Sequence, residues 1–116
     1  MDDLIAFLGA RIDEDQLVAH AVIEHLVDGG ERGFDFEHLP LVVRHHVSRF
    51  GPGRALREVE ARRELINEME ALLAASGDER LPHDVRESDS ATAGIVLRLL
   101  SLPYSDHLDY KEAWKP

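Results

Sequence analysis

His20 and Glu24 stand four residues apart, His25 follows, and a second histidine pair, His45 and His46, comes later in the chain. On a helix, side chains four apart share a face. Two helices lying side by side would bring His20, Glu24 and either His45 or His46 together. Two imidazoles and a carboxylate, with one position left open, form the donor set of a catalytic zinc or non-haem iron site. Seven histidines in an acidic chain also yield a helical His/Glu pair by chance, with the side chains in water. No His-Glu-x-x-His signature sharpens the metal reading. Near the C-terminus, His107-Leu108-Asp109 supplies another imidazole and carboxylate, whose expected job is capping and docking.

Arginines form the other chemically suggestive group. Residues 44–63 contain Arg44, Arg49, Arg54, Arg57, Arg62 and Arg63 against two acidic residues. A stripe built on Arg49, Arg54 and Arg57 would suit phosphate and hence nucleic acid. The rest of the chain argues against it. Residues 1–43 hold 2 basic and 10 acidic side chains, residues 64–116 hold 5 and 11, and the net charge of −10 repels a polyanion. The basic segment is equally able to neutralise its acidic flanks. Arg62 lies near the edge of an apolar stripe, where its stem can cover the core while its head stays in water.

Other chemistries are excluded. Without cysteine there is no disulfide, thiolate metal site or cysteine nucleophile. Gly51-Pro52-Gly53 lacks the Lys-Ser/Thr of a phosphate loop, and no Gly-x-Ser-x-Gly elbow occurs. No cofactor is indicated. No apolar run approaches the ~20 residues that span a bilayer. The Met1-Asp2-Asp3 opening has no basic region ahead of an apolar block, so cytoplasmic location is the expectation.

The elements that would position these residues are helical throughout. Asp2 to Asp28 reads as a first helix, with Ile5, Leu8, Ile12, Ala19, Val22 and Leu26 on one seam, interrupted at Asp15. Such a seam serves a helix pair within the chain or across a homodimer. Asp28-Gly29-Gly30 ends it, and Glu31 to His38 reads as a loop in which Phe34 and Phe36 plug the core. Leu41 to Phe50 follows Pro40 as a second helix. Pro52 to Ser76 is the longest clean helix, with Ala55, Val59, Ile66, Met69 and Leu73 on one face, flanked by Leu56, Leu65 and Leu72. Gly77, in a left-handed conformation, would stop it. Residues 77–89 read as a surface linker, and Ser90 to Leu102 as a strongly apolar helix buried between the others. Asp106 to about Trp114 would form a last short helix, docked through Leu108, Tyr110 and Trp114. The expectation is one all-α domain over residues 1–116, a compact irregular bundle of four helices plus a short C-terminal helix.

Three blocks carry a resemblance. Asp3-Leu4-Ile5-Ala6-Phe7-Leu8 with Ala10-Arg11-Ile12-Asp13-Glu14-Asp15 opens the chain. Arg54-Ala55-Leu56-Arg57-Glu58-Val59-Glu60-Ala61-Arg62-Arg63 lies in the middle, and Leu97 to His107 with Asp109-Tyr110 and Trp114-Lys115-Pro116 lies at the end. In this order they resemble an actinobacterial domain-of-unknown-function family found in Streptomyces-type genomes and their mobile elements, of which this chain is a short variant. The resemblance implies no activity. Members often carry a second histidine where this chain has Phe50, which weakens a shared metal role for that pair.

The functional expectation is a non-enzymatic protein-interaction or regulatory module from an accessory or mobile-element context, acting on an unknown protein partner. Two alternatives stand beside it: a metal-dependent enzyme using His20, Glu24 and His45 or His46, and nucleic-acid binding through Arg49, Arg54 and Arg57.

Overall fold

A computed structural model describes residues 1–28 and 36–116. Among these residues there is no strand, and the fold class is all-α. Three long helices dominate: α1 (Asp2–Asp28), α3 (Pro52–Ser76) and α4 (His83–Ser101), with a ten-residue α2 (Leu41–Phe50) between the first two. The C-terminal helix of the expected four-plus-one arrangement is absent. In its place are two 3-10 turns, Leu102–Tyr104 and Glu112–Trp114. Pro103 holds the first of them to a single turn, and the second is closed by the Trp114 and Lys115 N–H groups on the Lys111 and Glu112 carbonyls.

Proline and glycine set most of the boundaries. Pro40 and Pro82 sit just outside α2 and α4, in extended backbone, and their carbonyls accept the first helical bonds from Arg44 and Arg86. α4 thus begins at His83, seven residues ahead of the expected Ser90, and takes in most of the segment read as a linker. Pro52 opens α3, where its missing N–H costs nothing. Gly51 joins α2 to α3 because a Cβ there would lie 2.6 Å from the Val47 carbonyl oxygen. Gly77 does not use the left-handed conformation. The helix instead closes with the Gly77 N–H on the Ala74 carbonyl and the Ser76 hydroxyl on that of Leu73. The Gly29-Gly30 stop and the Phe34 and Phe36 plugs fall outside the described residues or side chains.

The chain divides into two compact units, Met1–Arg11 with Arg62–Pro116, and Ile12–Ala61. In the first unit the buried apolar side chains are Leu4, Phe7 and Leu8 of α1, Ile66 and Met69 of α3, Ala93 and Leu97 of α4, and Trp114. α4 turns a small-residue face inward, Ala93, Gly94 and Ser101 around Leu97. The buried Ser101 hydroxyl is satisfied by donating to the Arg98 carbonyl at 2.7 Å. α4 is not buried on all sides as expected, since Ile95, Leu99 and Leu102 are exposed.

In the second unit Ile12, Ala19 and Val59 are buried. α1 runs without a break through Asp13-Glu14-Asp15. Its seam residues Leu8, Ile12 and Ala19 are covered within the chain, while Leu17, Val18 and Val22 are exposed. α2 has no buried residue at all.

Candidate functional site

Two places in the structure gather chemically distinctive side chains, one in each unit. In the first, the Phe7 ring is the centre of an aromatic cluster. Trp114 lies 4.9 Å away between ring centroids, His107 5.7 Å, Tyr110 6.1 Å and Tyr104 6.4 Å, mostly edge to face. The Arg11 guanidinium sits over the same ring at 5.3 Å and is buried. Its Nη1 donates to His107 Nδ1 at 2.7 Å and also faces Nε2 of that ring, with Asp109 Oδ2 at 3.8 Å. The Asp109 N–H donates to the same Nδ1 at 3.1 Å.

The arrangement fixes what His107 can do. Its Nδ1 lone pair is already taken by N–H donors, so that nitrogen is not available as a general base. A neighbouring link has the same character: Arg62 Nη1 donates to the Tyr104 hydroxyl at 2.9 Å. At the surface, Lys111 Nζ reaches Asp3 Oδ2 at 2.7 Å, and this hydrogen bond is the main reason the Asp3 carboxyl is held below its ordinary range. Together these contacts fasten the irregular C-terminal segment onto the first three turns of α1. His107 therefore docks, as its sequence suggested. Tyr110 and Trp114 dock with it, but Leu108 does not, being 98% exposed. Arg11 and Phe7 carry the anchor, and their sequence surroundings gave only one sign of it: an arginine inside an otherwise apolar helical face.

The second place is a groove in the other unit, about 310 Å³, lined by Val18 and Val22 of α1, Val47 and Phe50 of α2, and Pro52 and Ala55 of α3. The Phe50 ring is exposed, with the His46 ring tilted against it at 4.9 Å and the Arg54 guanidinium over it at 4.4 Å. Arg54 is in turn held by Glu58, with Nε to Oε1 at 2.9 Å, and by the Arg49 carbonyl. The surroundings are apolar on the floor and basic at this rim. Val42 and Leu41, at the start of α2, are also exposed.

The residues read as metal ligands do not assemble. His20, Glu24 and His46 are each exposed, as is His45. Among the described residues no group of three His, Asp or Glu side chains is placed to hold a metal ion. His46 instead spends its ring on Phe50. Of the arginines read as a phosphate stripe, Arg54 is turned to Glu58 and Phe50.

The family model of DUF6221, a family of unknown function, matches residues 1–116. The chain belongs to this family. No curated protein and no solved structure matches it. All three sequence blocks that carried the resemblance contribute to the Phe7 cluster: Phe7 and Arg11 from the first, Arg62 from the second, and Tyr104, His107, Tyr110 and Trp114 from the third. In this DUF6221 chain the blocks meet as an anchor for the C-terminal segment. Among the described residues no helix is long and apolar enough to cross a membrane.

Proposed function

We propose that this chain is a protein-interaction module, not an enzyme, and that the groove between α1, α2 and the start of α3 receives an acidic peptide segment with apolar anchors. One observation carries the reading. α2 is rich in large apolar residues and yet buries none of them. Leaving Leu41, Val42 and Phe50 in water forgoes ~25 cal/mol for each Å² of apolar surface that a partner would cover. A contiguous apolar surface bordered by polar groups is the usual mark of a binding site. The rim chooses the partner's charge. Arg49, Arg54 and Arg57 lie on the α2–α3 junction, in the one segment of the chain where basic residues outnumber acidic ones. The phosphate backbone of a nucleic acid would meet the same arginines, but it offers nothing to fill the groove.

The test is selection of a displayed library of random 15-residue peptides on the purified protein, with the Phe50→Asp variant as the counter-target. The expected binders pair Leu, Phe or Ile with Asp or Glu, and lose at least tenfold in affinity on Phe50→Asp or Val18→Asp. Binders that are uniformly basic, or that bind Phe50→Asp equally well, would refute the assignment. Native mass spectrometry with and without chelator addresses the metal-enzyme alternative directly. A metal adduct that chelator removes and His20→Ala abolishes would replace this reading with the enzymatic one.

A further inference from the structure

α4 has a second face whose residues are exposed among the described residues. Val85, Ser88, Thr92, Ile95, Leu99 and Leu102 recur at alternating spacings of three and four, which is the seam of a two-helix coil. All six are exposed: Ile95 by 59%, Leu99 by 53% and Leu102 by 45%, while Leu97 on the opposite side is at 0%. Leu102 keeps helical backbone angles beyond the end of α4, so the seam runs on to it. From Val85 to Leu102 it extends roughly 25 Å, at ~1.5 Å per residue. From Ser90 to Leu102 the sequence holds a single charge, Arg98. A solvent-facing side of a helix is ordinarily polar, yet the outer side of α4 carries Val85, Ile95 and Leu99 in the open.

The charges along α4 point to what covers this face. Its N-terminal end carries Asp84, Glu87 and Asp89, with Arg86 tied to the Ser76 carbonyl at 2.8 Å. Its C-terminal end carries only Arg98. A partner lying antiparallel along the seam with the same sequence would set Arg98 over this acidic end, twice by symmetry. The macrodipoles of the two helices would also oppose. A parallel copy would stack like charge on like charge. A foreign partner needs complementary charge at both ends, and a second copy supplies it by rotation about one axis.

We infer that two copies of this chain associate through α4, antiparallel and across a two-fold axis near Thr92 and Ile95. No residue of this seam lines the α2 groove, so the dimer and the peptide-binding reading stand or fall independently.

Analytical ultracentrifugation across a concentration series tests it. The wild-type chain is expected to shift from monomer to dimer with a micromolar dissociation constant. Leu99→Asp and Ile95→Asp, both at exposed positions, should weaken the dimer at least tenfold while leaving the helical circular dichroism signal unchanged. Arg98→Glu should weaken it by a smaller factor. Because the chain has no cysteine, Val85→Cys and Leu102→Cys chains distinguished by mass can be mixed and oxidised. A cross-linked heterodimer of the two supports the antiparallel seam. Cross-linking of each variant only with itself would overturn it, as would a wild-type chain that stays monomeric at hundreds of micromolar. A dimer that survives Leu99→Asp but is lost in Val42→Asp would also overturn it, by moving the contact to α2.

Discussion

Replacing Phe7 with alanine tests whether one ring holds the last fifteen residues in place. Phe7 is buried and touches four other rings, all from the segment after α4, and it carries the Arg11 guanidinium on its face. A buried Phe→Ala change costs about 3–5 kcal/mol. Each lost ring pair adds to that only in part, because aromatic pairs are worth ~0.5–1.5 kcal/mol and share the same ring. A loss of about 4 kcal/mol is a factor of roughly 10³ in the docking equilibrium. It is also a large share of the ~5–15 kcal/mol that stabilises a whole domain. The C-terminal segment beyond α4 contains only two 3-10 turns, so its release removes little helix. Trp114 is the sole tryptophan, which makes intrinsic fluorescence a reporter of this segment alone. The expected result for Phe7→Ala is a red-shifted emission maximum at 25 °C, with most of the 222 nm circular dichroism retained. The fluorescence transition should move down by roughly 12–20 °C, at ~4 °C per kcal/mol. Unchanged emission, with a melt within about 2 °C of wild type, would refute the idea that Phe7 anchors the segment.

Three other substitutions separate the faces and ends of the molecule. Leu97→Ala should cost about 2–5 kcal/mol, because Leu97 is fully buried beside Ala93, Gly94 and Ser101. Leu99→Ala, two residues on and half exposed, should cost under about 1 kcal/mol in dilute solution, and urea melts of the pair measure the contrast. The Asp3–Lys111 contact predicts acid sensitivity. Asp3 has its folded pKa lowered from 3.8, chiefly by the Lys111 hydrogen bond. Its contribution is therefore present above the unfolded value and is lost as pH falls through the folded one. Trp114 emission titrated from pH 7 to 2 should shift below about pH 4 in the wild type. Asp3→Asn should lessen that step and weaken docking at neutral pH, and an identical titration in the variant would exclude the contact as a fastener.

Much of the helical layout is legible in the chain because punctuation is strong. Pro40 and Gly51-Pro52-Gly53 bracket α2 and open α3, and the bounds of α1, α2 and α3 coincide with those expected from capping and periodicity. α4 was misplaced at its start for a definite reason. Residues 83–89 are mostly charged and show no apolar period, which puts the expected start at Ser90, whereas Pro82 sets the boundary. The apolar stretch from Ile95 to Leu102 gives no sign of which side is inward. The small residues Ala93, Gly94 and Ser101, which lie on the buried side, were the available signal. Arg11 was not legible as an anchor because its partner His107 is 96 positions away. The His20, Glu24 and His46 set depends on a convergence that spacing alone does not supply. Spacing along one helix was clear, but convergence requires the second helix to present its ring to the first, and His46 presents it to Phe50.

The distance between Arg11 and His107 has a meaning for how the chain is made. The aromatic and cationic face of the first three turns of α1 leaves the ribosome before the segment that covers it, which emerges 96 residues later. At ~5–20 residues per second that is an interval of roughly 5–20 s, very long beside the microseconds in which a helix forms. For that time the nascent chain displays Phe7 and Arg11 without the segment that covers them. Synthesis, not the finished structure, is then when this protein is most open to aggregation, and when a chaperone has most to hold.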